Sequence, residues 1–499
     1  MEGSANLFEI KTGSERLKLP QYLVILISTV LFSAWMISEN GIVAGIGLMT
    51  IPFVLFYLTL LFRKPIVGLY SSIGLGFFLL GLPRYVPGLS TIGMAMDAIL
   101  VLTYIALISN KFYEKVDWKP ANRDVTLLAA IWFGYAVLQV VNPEAHSMEA
   151  WLAGMRGIAL YMMLIIPLVL ILINSTKKLD YFLYLWGTLS IFASLKGIMQ
   201  ITIGVDRWEQ AWLDNGGAVT HILFGKLRVF SFFTDAANFG ANQAYSALVA
   251  TIIGNAEKDW RKKIFYFTVA LLGFYGLLAS GTRGAISVPL AGFMAYFILK
   301  KNKLVMISGF ILLTVVFVFF KFTTIGQANP QISRMRSAFD PNDPSLQVRF
   351  ENQKKLSTYL ASRPFGGGIG LGGVKAKRYL PNAFLSQVPT DSWFVLIWAE
   401  QGIVGLLLHL FILFYVLIKS SYLIVFRIRD PILKMKMAAL ASGMFGIIVA
   451  SYGNEILGTM PTSLLIYTSM ALMLNAKSLD ISPSEPLKSI QIQSNIVLK

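Results

Sequence analysis

Apolar stretches of about twenty residues recur along nearly the whole chain of 499 residues and are separated by mostly short polar segments. A helix of about 20 residues is long enough to cross the hydrocarbon core of a bilayer. Because lipid offers no hydrogen-bond partners to the backbone, such stretches must be helical. The pattern therefore predicts an all-α polytopic membrane protein with about 12–14 transmembrane helices.

The apolar stretches fall into two groups on either side of one long polar segment, and a second polar segment of unusual length covers 204–235. Loops longer than about 15 residues are commonly functional, so these two segments are the first places to look for a site. The predicted division is a cytoplasmic tail at 1–20, helices 1–11 within 21–321, a long loop at 322–390, helices 12–14 within 391–477, and a cytoplasmic tail at 478–499.

Composition supports the membrane interpretation and excludes some chemistry. Hydrophobic residues make up 56% of the chain and charged residues only 14%. The chain has no cysteine, which excludes disulfides, thiolate metal sites and cysteine nucleophiles. The first apolar stretch is not followed by a pattern typical of signal-peptide cleavage, so we expect it to be retained as an anchor.

The distribution of basic residues predicts the orientation in the membrane. Lys and Arg are concentrated in alternate loops, which places both termini in the cytoplasm and the loop at 322–390 outside. That loop is itself basic, and this does not contradict the predicted orientation, because long translocated loops are exempt from the positive-inside rule. An anionic ligand is therefore expected there. Between 321 and 378, three acids (Asp340, Asp343, Glu351) accompany ten basic residues: Lys321, Arg334, Arg336, Arg349, Lys354, Lys355, Arg363, Lys375, Lys377 and Arg378.

Several charged and polar residues stand at predicted outer ends of helices, where they are candidates for function. Arg283 lies between two apolar stretches, in a segment whose small residues permit close backbone approach. Arg228 precedes Asp235, Asn238 and Asn242, which share one face of a helix at this spacing. Because arginine binds phosphate through two parallel hydrogen bonds, the two arginines are candidates for a phosphate site.

A glycine-rich segment follows a predicted helix near 346–362 in the long loop. It runs from Arg363 to Gly373 and includes Gly368 and Gly370. Successive backbone N–H groups of such a segment can bind phosphate. A flexible hinge is the alternative interpretation.

Two further interpretations concern single charges. Asp97 and Lys196 lie within predicted helices, and one expectation is that they pair with each other. Asp391 begins the twelfth predicted helix, where it could be either a functional carboxylate or a helix N-cap. The three histidines show no metal-ligand spacing with one another or with a carboxylate, so no metal site is predicted.

Taken in order, the residues between 228 and 405 resemble the O-antigen ligase and polymerase superfamily of bacterial envelope glycosyltransferases. Each element is weakly specific alone, and the combination is specific through its order, spacing and shared membrane side. The matching elements are Arg228 with the Asp235 to Asn242 face, Ser280-Gly-Thr-Arg-Gly284, Val348-Arg-Phe350, Arg363-Pro-Phe-Gly-Gly-Gly-Ile-Gly370, Asp391-Ser-Trp-Phe, and Trp398-Ala-Glu-Gln-Gly-Ile-Val-Gly405.

The resemblance implies a helical glycosyltransferase fold of the GT-C type that uses no cofactor, metal or nucleotide sugar. It implies a polyprenyl-diphosphate-linked oligosaccharide donor and a saccharide or lipid-linked acceptor. No nucleic-acid partner is expected, because positive-inside topology explains most of the net charge of +17. On this view Arg228, Arg283 and Arg349 hold the diphosphate. Asp391 acts as the base, and the bacterial inner membrane is the location.

One departure affects which member of the family is expected. Ligases of this family carry a histidine just before the helix that starts here at 391, and this chain has Thr390-Asp391-Ser392 instead. The departure favours a polymerase-like member, with a ligase as the alternative. A flippase of lipid-linked oligosaccharide is the alternative from another class, although the chain lacks the internal repeat typical of many transporters.

Overall fold

A computed structural model describes residues 19–86, 93–110, 116–223, 225–327, 330–337, 340 and 342–480. Within these residues the chain is mostly helical, with one short antiparallel hairpin, so the predicted all-α polytopic fold is confirmed. Most of the predicted tails at 1–20 and 478–499 lies outside the described residues. The chain divides into two compact units, residues 1–64 and 65–499.

The helices and strands are numbered in chain order. In the first half of the chain they are α1 (Leu19–Arg63), α2 (Ile66–Phe78), α3 (Gly93–Asn110), α4 (Asp124–Leu138), α5 (Met148–Met155), α6 (Tyr161–Leu172), α7 (Thr176–Thr202), α8 (Arg207–Trp212), α9 (Ala218–His221), β1 (Ile222–Leu223) and β2 (Lys226–Leu227). In the second half they are α10 (Ala236–Ala256), α11 (Trp260–Ala279), α12 (Ser287–Leu299), α13 (Lys303–Phe322), α14 (Pro330–Arg336), α15 (Pro344–Leu360), α16 (Phe384–Gln387), α17 (Trp393–Phe426), α18 (Pro431–Ala450), α19 (Thr462–Leu474) and α20 (Ala476–Leu479).

Many of these helices have the length and apolar character of membrane spans. Among the described residues, six helical segments are long and apolar enough to cross a bilayer: 124–141, 148–172, 176–202, 260–279, 393–426 and 431–450. Six shorter apolar segments accompany them, at 47–63, 66–78, 93–109, 283–299, 306–322 and 462–474. The protein is therefore a multi-pass membrane protein.

The first unit is built on α1, which has 45 residues. Two separate spans are predicted here, at 21–38 and 42–62, and the structure joins them into one bent helix. The bend lies at Gly41, whose φ of 65° is in the left-handed region that glycine adopts without steric cost. The position of the bend therefore agrees with the predicted break between the two spans.

Helix α10 is buried along almost its whole length and packs against α11 and α18 in the second unit. Neighbouring helices satisfy some of its buried polar groups, whereas Asn238 Oδ1, Asn242 Oδ1 and Gln243 Nε2 have no partner among the described residues. The Gln243 side-chain oxygen accepts hydrogen bonds from the hydroxyls of Ser190 (2.7 Å) and Ser194 (3.0 Å). The polar face of α10 is thus largely an internal packing surface.

Both long polar segments are folded. The segment 204–235 contains α8, α9 and the hairpin in which Ile222 pairs with Leu227. The loop 322–390 contains α14, α15 and α16. The helix predicted near 346–362 is confirmed as α15.

The expected pair between Asp97 and Lys196 is wrong. Asp97 instead forms an ion pair with Arg156, at 2.8 Å. Lys196 lies 3.0 Å from Asp206 and 3.1 Å from Glu209, in the loop that follows its own helix α7. Hydropathy alone does not show which charged residues form ion pairs with each other.

Candidate active site

A cavity of about 410 Å³, here called the polar cavity, lies where the start of α10, the segment before α17 and the loop between α18 and α19 meet. Residues far apart in sequence converge on it, including five of those predicted from sequence. Its titratable lining residues are His221, Arg228, Asp235, Arg349, Lys375, Asp391 and Glu455.

Arg228 is fixed in the wall by neutral hydrogen-bond acceptors. Its Nε donates to the Ser280 carbonyl at 3.2 Å, and another N–H donates to the Thr282 hydroxyl at 2.9 Å. Burial and the nearby guanidinium of Arg334 lower the pKa of Arg228 to about 10, so it stays charged at neutral pH. No described carboxylate lies within ion-pair distance of Arg228, and its charge is available to an anion.

Arg349 projects from α15 into the same cavity. Its side chain is half-buried, and it makes no hydrogen bond or ion pair with any residue that the structure describes. A guanidinium carries five N–H donors. Arg349 and Arg228 therefore present two cationic groups whose charges are not neutralised by a protein carboxylate.

Asp235 and Asn238 line the cavity at the start of α10. Asp235 is the N-cap, and its carboxylate accepts from the backbone N–H groups of Ala237 and Asn238, both at 2.9 Å. The Asn238 amide also donates to it at 2.7 Å. Burial opposes ionisation, but these hydrogen bonds outweigh it and hold the pKa of Asp235 below its usual value. Asp235 is therefore an ionised structural cap at the cavity edge.

Asp391 has an unusual backbone conformation. It is exposed to the cavity and has a φ of 49°, a left-handed conformation that costs energy for a residue with a Cβ. The alternative interpretation as a helix N-cap is wrong, because Ser392 occupies the N-cap position of α17. Within the described chain its carboxylate has no hydrogen-bond partner. Strained backbone of this kind clusters at functional sites.

The structure does not bring Arg283 to the lining of the cavity. Arg283 instead forms an ion pair with Asp343, the N-cap residue of α15. It also donates to the hydroxyls of Ser337 and Ser345, each at 2.9 Å. These contacts tie the turn after α11 to α14 and α15.

Two other predicted residues also lie away from the polar cavity. The Nε of Arg363 is 3.0 Å from Glu144, and its guanidinium stacks on the ring of Tyr359 at 4.2 Å. The Asn242 amide donates to the Thr462 hydroxyl at 3.1 Å in the interior of the bundle. A role of either residue in substrate binding stays a prediction.

The glycine-rich segment packs closely against its neighbours. The N–H of Gly368 donates to the Glu400 carbonyl at 2.9 Å, and that of Gly372 donates to the Glu400 carboxylate at 3.0 Å. Gly370 has a φ of 81°, and a Cβ there would lie only 2.0 Å from the Ala150 carbonyl oxygen. The glycines thus allow close packing, and the N–H groups of Gly368 and Gly372 are already occupied.

Glu455 and Lys375 are site residues that the sequence did not assign to the cavity. The Lys375 ammonium lies 3.2 Å from one Glu455 oxygen, and the Thr390 hydroxyl donates to the other. Glu455 lies between two apolar stretches, and this position is the sequence feature that could have indicated a site residue. Nothing in the sequence pairs it with Lys375, because 80 residues separate the two.

Together the helices and the polar cavity define a multi-pass membrane protein whose candidate site lies at helix ends and is formed by its long loops. Residues 268–410 match the family model described as O-antigen ligase. The chain is also similar to a protein of Salmonella muenchen named O-antigen polymerase, with 22% identity over 341 residues that cover 64% of this chain and 80% of that protein. Both matches confirm the predicted resemblance to the O-antigen ligase and polymerase superfamily.

Proposed function

We propose that this protein is a glycosyltransferase of the bacterial inner membrane. It takes oligosaccharide from a polyprenyl diphosphate carrier, such as undecaprenyl diphosphate, on the periplasmic face. It then transfers the glycan to a saccharide acceptor during surface polysaccharide synthesis. The observation that carries the proposal is the pair of arginines, Arg228 and Arg349, which lie without carboxylate partners in one cavity of a chain that resembles this superfamily.

In this proposal the two guanidinium groups bind the diphosphate of the donor. Arginine binds phosphate oxygens through paired, charge-assisted hydrogen bonds. As the bond between the sugar and the diphosphate breaks, negative charge grows on the leaving oxygen. Arg228 and Arg349 stabilise that charge, so the reaction needs no metal ion in this proposal.

A carboxylate in the cavity takes the proton of the attacking acceptor hydroxyl. General-base assistance of this kind contributes about 10²–10⁴-fold to a rate. Asp391 is the base predicted from sequence, and Glu455 lines the same cavity. The role of Asp391 stays a prediction.

We favour a polymerase over a ligase. The histidine position of the ligases is occupied here by Thr390-Asp391-Ser392. The similar protein from Salmonella muenchen is named a polymerase. A polymerase extends a lipid-linked glycan, whereas a ligase moves finished glycan to lipid A core. Product analysis after deletion separates the two, because single repeat units accumulate without a polymerase and unattached long chains accumulate without a ligase.

The test of the proposed function is complementation of a deletion strain. We expect the wild-type chain to restore long polysaccharide and the Arg349→Ala variant, at equal membrane level, to restore none. Lys354→Ala is the matched control, because Lys354 is an exposed basic residue on the same helix, α15. Full polysaccharide length with Arg349→Ala would contradict the site assignment.

Donor binding is measured separately with undecaprenyl diphosphate and the purified full chain. We expect Arg349→Ala to weaken binding roughly tenfold or more, since a hydrogen bond to a charged group contributes about 1.5–3 kcal/mol. Lys354→Ala should bind as the wild type does. Equal affinity of all three proteins would exclude Arg349 from the diphosphate site.

A further inference from the structure

A second cavity, of about 490 Å³, adjoins the polar cavity. We call it the adjoining cavity. Gly372, Lys375 and Glu455 line both cavities and therefore form the wall between them. Asp391 lines the polar cavity and does not appear in the lining of the adjoining one. Of the two candidate bases, Glu455 is thus the one that both cavities share.

Small residues create the space in the adjoining cavity. Ala153, Gly154 and Gly157 line it from the end of α5 and from the single π-helical turn that follows, Arg156–Leu160. The wide turn adds a residue to the helix, and such turns are frequent at functional sites. The opposite side carries polar and aromatic groups, among them Tyr379. The wall is therefore mixed rather than uniformly apolar.

Glu400 supplies an oxygen atom without a hydrogen-bond partner in this wall. Glu400 is only 3% exposed, and one of its carboxylate oxygens accepts a hydrogen bond from the N–H of Gly372 at 3.0 Å. The other oxygen, Oε2, is buried and has no partner among the described residues. A buried polar atom without a hydrogen bond is costly and needs an explanation. A hydroxyl group of a ligand can donate or accept and would provide the missing hydrogen bond.

The chemistry of the wall distinguishes two possible occupants. A prenyl chain has no hydrogen-bond donor and would leave the Glu400 oxygen unsatisfied. A saccharide brings many hydroxyl donors, and its hydroxyls can also reach Lys375 and Glu455 at the shared wall. The unpartnered oxygen of Glu400 therefore favours a saccharide.

We propose that the adjoining cavity binds the acceptor saccharide and that Glu455 is the catalytic base. This inference rests on the proposed function. The acceptor oxygen forms a bond to the anomeric carbon of the donor, and its proton passes to the Glu455 carboxylate. The bond between that carbon and the diphosphate oxygen breaks, and its electron pair leaves with the diphosphate in the polar cavity.

The contacts of Glu455 suit this role. Lys375 and the Thr390 hydroxyl bind its two oxygens and fix the carboxylate at the junction of the cavities. Thr390 precedes Asp391, so the segment predicted to carry the base holds Glu455 in place instead.

The first test fills the adjoining cavity. Ala153 is exposed to it, and Ala153→Phe adds a ring without meeting the polar cavity. We expect polysaccharide extension to fall at least roughly tenfold, while affinity for undecaprenyl diphosphate stays within about twofold. Leu152→Phe, on the same helix and outside the lining, is the control. Loss of undecaprenyl diphosphate affinity in Ala153→Phe would overturn the proposal, because the cavity would then hold the prenyl chain.

The second test compares the two carboxylates in membranes of the deletion strain that carry lipid-linked repeat units. Glu455→Gln should reduce extension by about 10²-fold or more with undecaprenyl diphosphate binding unchanged. Asp391→Asn should reduce extension less than Glu455→Gln does. The reverse order of the two variants would overturn the assignment of Glu455.

These tests separate the inference from the proposed function. If the wild-type chain restores no polysaccharide in the deletion strain, the proposed function fails. If the wild type is active and both Ala153→Phe and Glu455→Gln are as active as the wild type, only the further inference fails.

Discussion

Arg84 and His221 hold the segment that carries Arg228, although neither belongs to a predicted motif. Arg84 donates to backbone carbonyls of this segment, including that of Thr234 at 2.6 Å. The His221 Nε2 accepts the N–H of Ala236, at 3.2 Å, where α10 begins. Arg84 thus satisfies carbonyls of the loop before α10, and His221 satisfies an N–H at the helix start. They are positioning residues for the polar cavity.

His221 predicts a pH dependence at the residue scale. It is 4% exposed, and burial lowers its pKa to about 4. In the unfolded chain the histidine takes up a proton near pH 6.5, whereas in the folded chain it does not. The contribution of His221 to the free energy of unfolding is therefore fully present above about pH 6.5 and is lost as the pH falls from about 6.5 to 4. The loss should be about 2 kcal/mol at pH 5. It is measured as the apparent melting temperature of the detergent-purified protein at pH 7.5 and pH 5.

The control for this prediction is a second histidine. His221→Gln removes the titrating group and should flatten the dependence on pH, whereas His146→Gln should leave it unchanged. An unchanged slope in His221→Gln would show that other groups cause the loss.

At the scale of elements, α14 and α15 are anchored to the turn between α11 and α12. Arg283 provides the anchor through Asp343 and two serines. Burial opposes ionisation of Asp343, but hydrogen bonding and the charge of Arg283 outweigh it and hold the pKa of Asp343 low. The anchor fixes the helix from which Arg349 reaches the polar cavity. We therefore interpret Arg283 as a positioning residue.

The ion pair between Arg283 and Asp343 predicts that substitution of either residue has the same effect on activity. Arg283→Ala and Asp343→Ala should each reduce polysaccharide extension by roughly tenfold, the effect of about 1.4 kcal/mol on a barrier. The double variant should be no worse than either single variant, since both remove the same interaction. Lys354→Ala is again the control on α15. Additive effects in the double variant would indicate that Arg283 binds substrate directly.

At the scale of the whole molecule, the site depends on where helices end. The starts of α10 and α17 and the end of α18 supply residues to one cavity, and α15 adds Arg349 from the long loop. A helix end brings unpaired backbone groups and polar caps to one place. The predicted orientation places these helix ends at the periplasmic face, where we propose that lipid-linked glycan is extended.

Orientation is tested by labelling, because the chain has no native cysteine. Lys354→Cys, in the long loop, should react with a membrane-impermeant maleimide in intact spheroplasts. Lys258→Cys, exposed between α10 and α11, should react only after the membrane is opened. The opposite pattern would place the cavity in the cytoplasm and contradict the proposed function.

Five residues predicted from sequence come together in the polar cavity, and their roles there stay predictions. Arg228, Asp235, Asn238, Arg349 and Asp391 were all predicted, and all line the polar cavity. Hydropathy locates helix ends, and a charge beside a span is rare enough to be informative.

Residues that line the cavity and residues with a structural role carry the same signals in the sequence. Arg283 and Arg363 looked equivalent to Arg349 in sequence, yet Asp343 and Glu144 neutralise them in the fold. Those pairs join residues 60 positions apart in one case and more than 200 in the other. Neither spacing carries a local signal.

The sequence by itself determined that this is an all-α membrane protein, which of its polar residues stand at helix ends, and the family it resembles. These follow from short-range rules, because a bilayer requires apolar helices and makes every charge beside them conspicuous. Only the tertiary structure decided which charges are neutralised and that Glu455 stands between two cavities. Pairing of side chains depends on distances between helices, and those distances are set by packing of the whole bundle.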